Sequence, residues 1–193
     1  RERQSKTLLS VLILNTAMFG VEFTAGLLSG SIALIADSLD MLGDALVYGF
    51  SLYVVGRPSL WKTRAALAKA AVMGLFGVFV LGQVIYKIAV PQVPAYETMG
   101  VIGTVVLLTN ALCLALLWRH RAEDINMRSV WMCSRNDLIA NVGVLIAALA
   151  VWVLGSGWPD VIVGAIICVL FFWSSLVVTR EAHAELSVQR NAA

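Results

Sequence analysis

Four side chains with the chemistry of metal ligands recur as two pairs at a four-residue spacing, Asp40 with Asp44 and Cys133 with Asp137. At about 100° per residue, a step of four returns to the same face of a helix, so each pair can present two donors side by side. Two such helices can close four donors around one ion, the number a tetrahedral Zn²⁺-like centre requires. Asp37 stands three residues before Asp40 and extends the same face. Taken alone, it also fits a helix-packing device. For Asp40 and Asp44 that reading is weaker, because like charges one turn apart repel unless a cation or protons lie between them. Asn141 continues the second face one turn beyond Asp137, and Ala140, Val144 and Ala148 extend it as a stripe of small residues. Cys113 and Cys168 lack such partners and read as small buried hydrophobes.

The setting of these residues is apolar. Of 193 residues, 60% are hydrophobic and only 13% charged, against an apolar share of about 45–50% in soluble domains. The net charge of +2 and the lack of a long Arg/Lys run argue against a nucleic-acid partner. The three cysteines fall inside apolar segments, which argues against a disulfide framework. A helix needs about 20 mainly apolar residues to cross a bilayer. Six stretches qualify, near 7–28, 32–55, 66–89, 98–118, 129–154 and 158–179, and predict an all-α polytopic membrane protein of six transmembrane helices. Residues 1–180 form its single domain, and 181–193 are expected as a short cytoplasmic tail. The basic start, Arg1 to Lys6, resembles that of a signal peptide. The apolar run behind it is long and has no small-residue cleavage site, so it is read as a retained helix.

Ionisable groups in a span cost roughly 2.5–3.5 kcal/mol each on insertion scales. Glu22 shares a face with Asn15 and Ser29 at spacings of seven, a polar seam on helix one that would line a cavity. Arg135 lies about 200° around its helix from Cys133 and Asp137. It is expected to snorkel toward headgroups, with a salt bridge to Glu22 or Asp37 as the alternative. Tight turns at Ser29-Gly30-Ser31 and at Gly155 to Asp160 should lie on one side, with Pro159 in the first turn of helix six. Basic residues gather on the other: Arg1, Arg3 and Lys6; Arg57, Lys62, Arg64 and Lys69; Arg119, Arg121 and Arg128; Arg180 and Arg190. Only Lys87 stands opposite. Both termini are therefore expected in the cytoplasm, with Pro91, Pro94 and Glu97 marking a longer outer loop. Trp61, Trp118, Trp158 and Trp173 read as interfacial aromatics.

In this order and spacing the residues resemble the cation diffusion facilitators, six-helix divalent-metal/proton antiporters. Helix one carries Asn15 and Glu22. The run Gly30-Ser31-Ile32-Ala33-Leu34, then Ala36-Asp37-Ser38-Leu39-Asp40 to Asp44, is similar to the family's Gly-Ser, Ala-Asp and (His/Asp)-x-x-x-Asp pattern. The stretch from Asn126 to Asp137 resembles the second such pair, with Cys133 where His is usual. Gly157-Trp158-Pro159-Asp160 and Gly164 resemble the start of the family's sixth helix. Besides Cys133, two features depart from the family. Arg57-Pro58-Ser59-Leu60-Trp61-Lys62 replaces a His- and Gly-rich connection, and the usual cytoplasmic domain after helix six is expected to be absent.

The resemblance implies efflux of a transported divalent metal, with no cofactor, across the cell (inner) membrane by a homodimer. A thiolate is softer than imidazole and favours Cd²⁺, Hg²⁺ or Zn²⁺ over Mn²⁺, Mg²⁺ or Fe²⁺. Zn²⁺ and Cd²⁺ are expected ahead of Co²⁺, Hg²⁺, Mn²⁺ and Fe²⁺. With Asp40, Asp44, Asp137 and a Cys133 thiolate ionised, an empty site would hold four negative charges. Protons must then replace the metal, which implies metal/proton exchange by alternating access. Asn15, Glu22, Asp37 and Asn141 are expected to support the ligands or line the pathway. Two other classes are open: an intramembrane metal-dependent lipid phosphotransferase, and a non-transporting assembly subunit. The first disagrees with the spacing, because Met41 follows Asp40 where such enzymes have Gly. No enzyme activity is expected.

Overall fold

The computed structural model describes residues 2–54, 59–118 and 125–191, and within these spans some side chains, including that of Cys133, lie outside the described set. Six helices follow one another: α1 (Glu2–Ser29), α2 (Ile32–Val54), α3 (Ser59–Ala89), α4 (Tyr96–Trp118), α5 (Ile125–Leu154) and α6 (Trp158–Asn191). Every apolar stretch of the sequence is a helix. Several helices outrun those stretches: α3 begins at Ser59, α5 at Ile125, and α6 continues to Asn191 through residues expected as a tail. The reason is physical. Apolar length reports where lipid begins and ends, whereas a helix continues into water wherever propensity allows.

Among the described residues, five helices carry stretches long and apolar enough to cross a membrane: Leu9–Ser29, Ala70–Ala89, Tyr96–Trp118, Ser134–Leu154 and Trp158–Ala184. In α2, any eighteen consecutive residues include Asp37, Asp40 and Asp44. Its polarity is sheltered by protein, because α2 packs against α1, α3, α5 and α6. The surface is inverted relative to a soluble fold. Leu28, Leu75, Val101, Ile139 and Trp173 are exposed, while Glu22, Asp37, Asp137 and Asn141 are buried. Such a surface suits lipid.

Packing divides the helices into two groups. α1 contacts α2, α2 contacts α5, α5 contacts α4, and α4 contacts α1, closing a four-membered ring. α3 and α6 pack on each other more extensively than any other two helices, and the pair leans on the ring through α2 and α5. An apolar core joins pair to ring, with Ile35 and Leu39 of α2 among Met73, Val80, Ile167 and Phe171. Gly164 brings α6 close to α2, since a Cβ there would lie 2.5 Å from Ile32 Cγ2.

Both tight turns lie at the same end, as expected, and this is the hairpin end of the bundle. Gly30 adopts φ +69°, and Ser31 N–H donates to the Gly26 carbonyl at 3.0 Å, the Schellman closure of a helix on a left-handed residue. The α5–α6 turn uses Gly155 at φ +59°, with its N–H on Val151 O at 2.9 Å. The α3–α4 connection meets them there, because Ala95 N–H donates to Ser29 O at 3.0 Å.

This end is held by a clamp. Asp160 of α6 is fully buried and accepts from Ser31 Oγ at 2.6 Å, Ile32 N at 2.8 Å and Ala33 N at 3.0 Å. Ser31 Oγ in turn accepts from Leu34 N at 3.1 Å. Ile35 N donates to the Ser31 carbonyl and begins the helical ladder. All four first-turn donors of α2 are thereby satisfied, two of them by a residue 127 or 128 positions away. Lys87 of α3, almost wholly buried, donates to the Gly30 carbonyl at the end of α1. Anion at a helix start and cation at a helix end are each the favourable pairing with the helix dipole. Lys87 is thus part of the fold.

Candidate functional site

Buried polarity is concentrated in the ring. α1 contributes Asn15 and Glu22, α2 Asp37, Ser38 and Asp44, α4 Asn110, and α5 Ser134, Asp137 and Asn141, each no more than 8% exposed. Asp40 is partly buried. The i, i+7 seam on α1 is therefore an inward face, with Ser29 buried at its hairpin end. On the other side of the ring the apolar side chains of Leu9, Ile13, Val21 and Leu28 are exposed.

The carboxylates of α2 and α5 are brought together. Asp137 lies within electrostatic reach of Asp44, Asp40 and Asp37, in that order of strength. Glu22 adds to the group from α1, facing Asp37 most strongly and Asp137 more weakly. Asn141 Nδ2 donates to the Asp137 carbonyl at 2.8 Å, which fixes the Asn141 side chain one turn nearer the hairpin end. Cys113 of α4 turns its Sγ toward Asn15 Oδ1 at 4.0 Å and lies near Asp137. It also packs with Val11 and Leu117, so the reading of Cys113 as a buried hydrophobe describes only part of its surroundings. Cys168 fits that reading better, in the apolar core with its Sγ on Gly77 O at 3.3 Å. Both thiols are free.

The fourth expected ligand, Cys133, lies on α5 one turn before Asp137, with its side chain outside the described residues. Among the described residues, no three His, Cys, Asp or Glu side chains converge closely enough to form a ready-made metal cage. The acidic residues share one interior without closing on a common point. Donors from α2 and α5 would have to draw together around an ion, which brings its own charge to the site.

Arg135 takes no part in this interior. It is exposed, and its Cζ lies 5.7 Å from the centre of the Trp131 ring, a cation–π contact between residues four apart on one helix. The alternative of a salt bridge to Glu22 is not realised, since both Glu22 oxygens lack a hydrogen-bond partner. Trp131 also meets Trp118 edge-on at 5.8 Å. Trp118, Trp158 and Trp173 are all exposed, as interfacial or lipid-facing aromatics are, while the side chain of Trp61 lies outside the described residues. The side chains of Arg57, Lys62, Arg64, Lys69, Arg119, Arg121 and Arg128 lie there too.

Sequence reasoning missed Asp160 and Lys87 as a linked pair. The available signal was the position of each charge, one at the start of α6 and one at the end of α3, at the level of the first hairpin.

The sequence matches known proteins along nearly its whole length. A model of the cation efflux transmembrane domain covers residues 8–187. The chain is 28% identical to the zinc transporter ZitB of Yersinia pestis over 96% of its own length and 64% of that protein. It is 30% identical to ZitB of Pectobacterium atrosepticum over 94% of its length and 61% of the relative. Similarity also extends to the cadmium, cobalt and zinc/H(+)-K(+) antiporter of Bacillus subtilis, 23% identical over 92% of this chain and 61% of that protein. The chain thus spans less than two thirds of the length of these relatives. With the four-helix ring and its buried aspartates in place, the match across residues 8–187 makes this chain a member of the cation efflux family, the cation diffusion facilitators.

Proposed function

We propose that the chain exports divalent transition-metal ions, Zn²⁺ or Cd²⁺ foremost, in exchange for protons. Asp40 and Asp44 of α2 with Cys133 and Asp137 of α5 are the ligands. The observation that carries this reading is the burial of Asp44 and Asp137 in one ring interior, 8% and 5% exposed, with Asp40 in the same electrostatic group. Carboxylates gathered away from water and lipid demand positive charge. A metal ion supplies it in one state, and protons supply it in the other. If the two forms open to opposite sides, exchange follows. The relatives, a zinc transporter and a cadmium, cobalt and zinc antiporter, agree with it in substrate class. Family membership removes support from the lipid phosphotransferase reading.

The orientation follows the basic residues, with both termini in the cytoplasm, the hairpin end outside, and the chain in the cell (inner) membrane as a homodimer. Reconstituted vesicles holding a metal-sensitive dye test the transport claim. Uptake or release of Zn²⁺ that responds to an imposed pH gradient supports it. Transport indifferent to that gradient overturns the proton coupling. An assembly subunit would bind no metal, and Asp40→Ala or Asp137→Ala would then change nothing.

A further inference from the structure

The proposed ligands leave two carboxyl groups of the ring without a role, Glu22 of α1 and Asp37 of α2. At 1.5 Å per helical residue, their distance from Gly30 in sequence puts both roughly 10–12 Å from the hairpin turn, against about 15 Å for Asp40 and about 21 Å for Asp44. They stand at one level, nearer the hairpin end than the ligands. Glu22 is 0% exposed and Asp37 1%. The two carboxyl groups lie within hydrogen-bonding range of each other and can share one proton, but neither Glu22 oxygen nor Asp37 Oδ2 meets a donor from any other described residue.

A further buried oxygen without a donor belongs to α5. Asn141 is 0% exposed, its Nδ2 is tied back to the Asp137 carbonyl, and its Oδ1 is left unpartnered. Asn141 stands on α5 one turn from Asp137 toward the hairpin end. Buried acceptors without donors are unfavourable by about 1–3 kcal/mol each, and more when charged. Four buried oxygens on three helices with no donor from the rest of the described residues leave a place for positive charge, a proton or a metal ion.

The location is also a route. Beyond Glu22 and Asp37 the hairpin end is closed by Ala33, Leu34, Met99, Val144, Ala147 and Ala148, none more than 5% exposed. A cation moving from Asp40, Asp44 and Asp137 toward that end meets Glu22 and Asp37 before this seal. We propose that Glu22 and Asp37, with the Asn141 oxygen, form a second cation station that takes the divalent metal ion in transit. The inference rests on the transport reading above. Its all-oxygen set lacks a thiolate and a third carboxylate, so it holds the ion more weakly than the ligand set. Weak holding suits a station on a path, which must release what it receives.

Calorimetric titration of the purified chain with Cd²⁺, paired with efflux from vesicles, tests this. The wild-type chain should bind two ions, the second at least about tenfold more weakly than the first. Glu22→Gln should keep the first within about twofold, lose the second, and slow efflux at saturating metal by about tenfold or more, the scale of loss for a group supporting a metal site. Asp37→Asn, which also keeps its shape, should do the same, with helicity checked in both. Retention of the second ion in both variants, or efflux at the wild-type rate, overturns the station. So does a single binding event in the wild type, which would leave Glu22 and Asp37 to protons alone. If the wild type binds no Cd²⁺, or if Asp40→Ala and Asp137→Ala bind as it does, the ligand assignment itself has failed and the station falls with it.

Discussion

Asp160 and Asp37 are the same residue type, buried to the same degree at 0% and 1% exposure, yet they live in opposite circumstances. Asp160 accepts three hydrogen bonds from the start of α2 and has Lys87 nearby. Asp37 Oδ2 and both Glu22 oxygens meet no donor from other described residues, and the two carboxyl groups have only each other. The contrast separates two uses of a buried carboxylate. Where every lone pair is met, the charge holds the fold together. Where acceptors gather without donors, the fold is leaving room for a cation, at a standing cost in stability.

The sharpest way to break that comparison is to remove one member from each side. Asp160→Ala strands the donors of Ile32, Ala33 and Ser31 and leaves Lys87 without its counter-charge. It should cost about 3–5 kcal/mol, the scale for breaking a buried charged contact, seen as a large fall in thermal unfolding temperature in detergent. An unfolding temperature close to wild type would mean the clamp carries no load. Asp137→Ala should do the reverse, with unfolding little changed but Cd²⁺ affinity reduced by at least the ~10–100-fold that even supporting groups contribute. Titration of the purified variant would read this directly.

Glu22→Met sharpens the comparison further, because the sign of the stability effect should change. Replacing an unpaired buried charge by an apolar side chain is often neutral or stabilising by about 1–4 kcal/mol. The variant should unfold no earlier than wild type while exporting metal more slowly, and earlier unfolding would mean that Glu22 has a structural partner. Gly164→Ala tests the clamp's neighbourhood, since the new Cβ would fall 2.5 Å from Ile32 Cγ2. Overpacking of this kind costs typically about 1–3 kcal/mol, measurable in the same melts. The smallest effect belongs to Arg135→Ala. Loss of an exposed cation–π contact should cost about 0.5–1 kcal/mol, with metal binding unchanged, and a large loss of affinity would place Arg135 in the site after all.

The helices and the ring's inward face were legible in the sequence because lipid imposes them. A short acidic or amide side chain deep in an apolar span cannot snorkel and so turns inward, which let Asp44, Asp137, Glu22 and Asn141 be placed from spacing alone. The ends of α3, α5 and α6 were not legible from hydropathy, which stops at the lipid boundary. Nor was the clamp. Asp160 acts on backbone amides far away in the chain, and no periodicity reports an acceptor whose donors belong to another helix. Arg135 was placed on the correct face but without its partner, although Trp131 stands four residues earlier and the spacing was there to be used. Cys113 was underestimated because a lone thiol in an apolar run shows no sign of the Asn15 it faces.

The clamp also bears on how the protein is made. The amides of Ile32 and Ala33 leave the ribosome with the first hairpin, but the carboxylate that receives them is carried at the start of the last helix. Until α6 is inserted, the first hairpin sits in the membrane with its opening turn incompletely bonded and with Lys87 facing a turn that lacks its anion. Each intermediate is therefore less settled than the finished bundle, and arrival of the final helix completes the first. A chain interrupted before α6 would carry polar groups at the hairpin end that only the missing segment can satisfy. Such a fragment is open to recognition by membrane quality control, and the completed six-helix bundle is not.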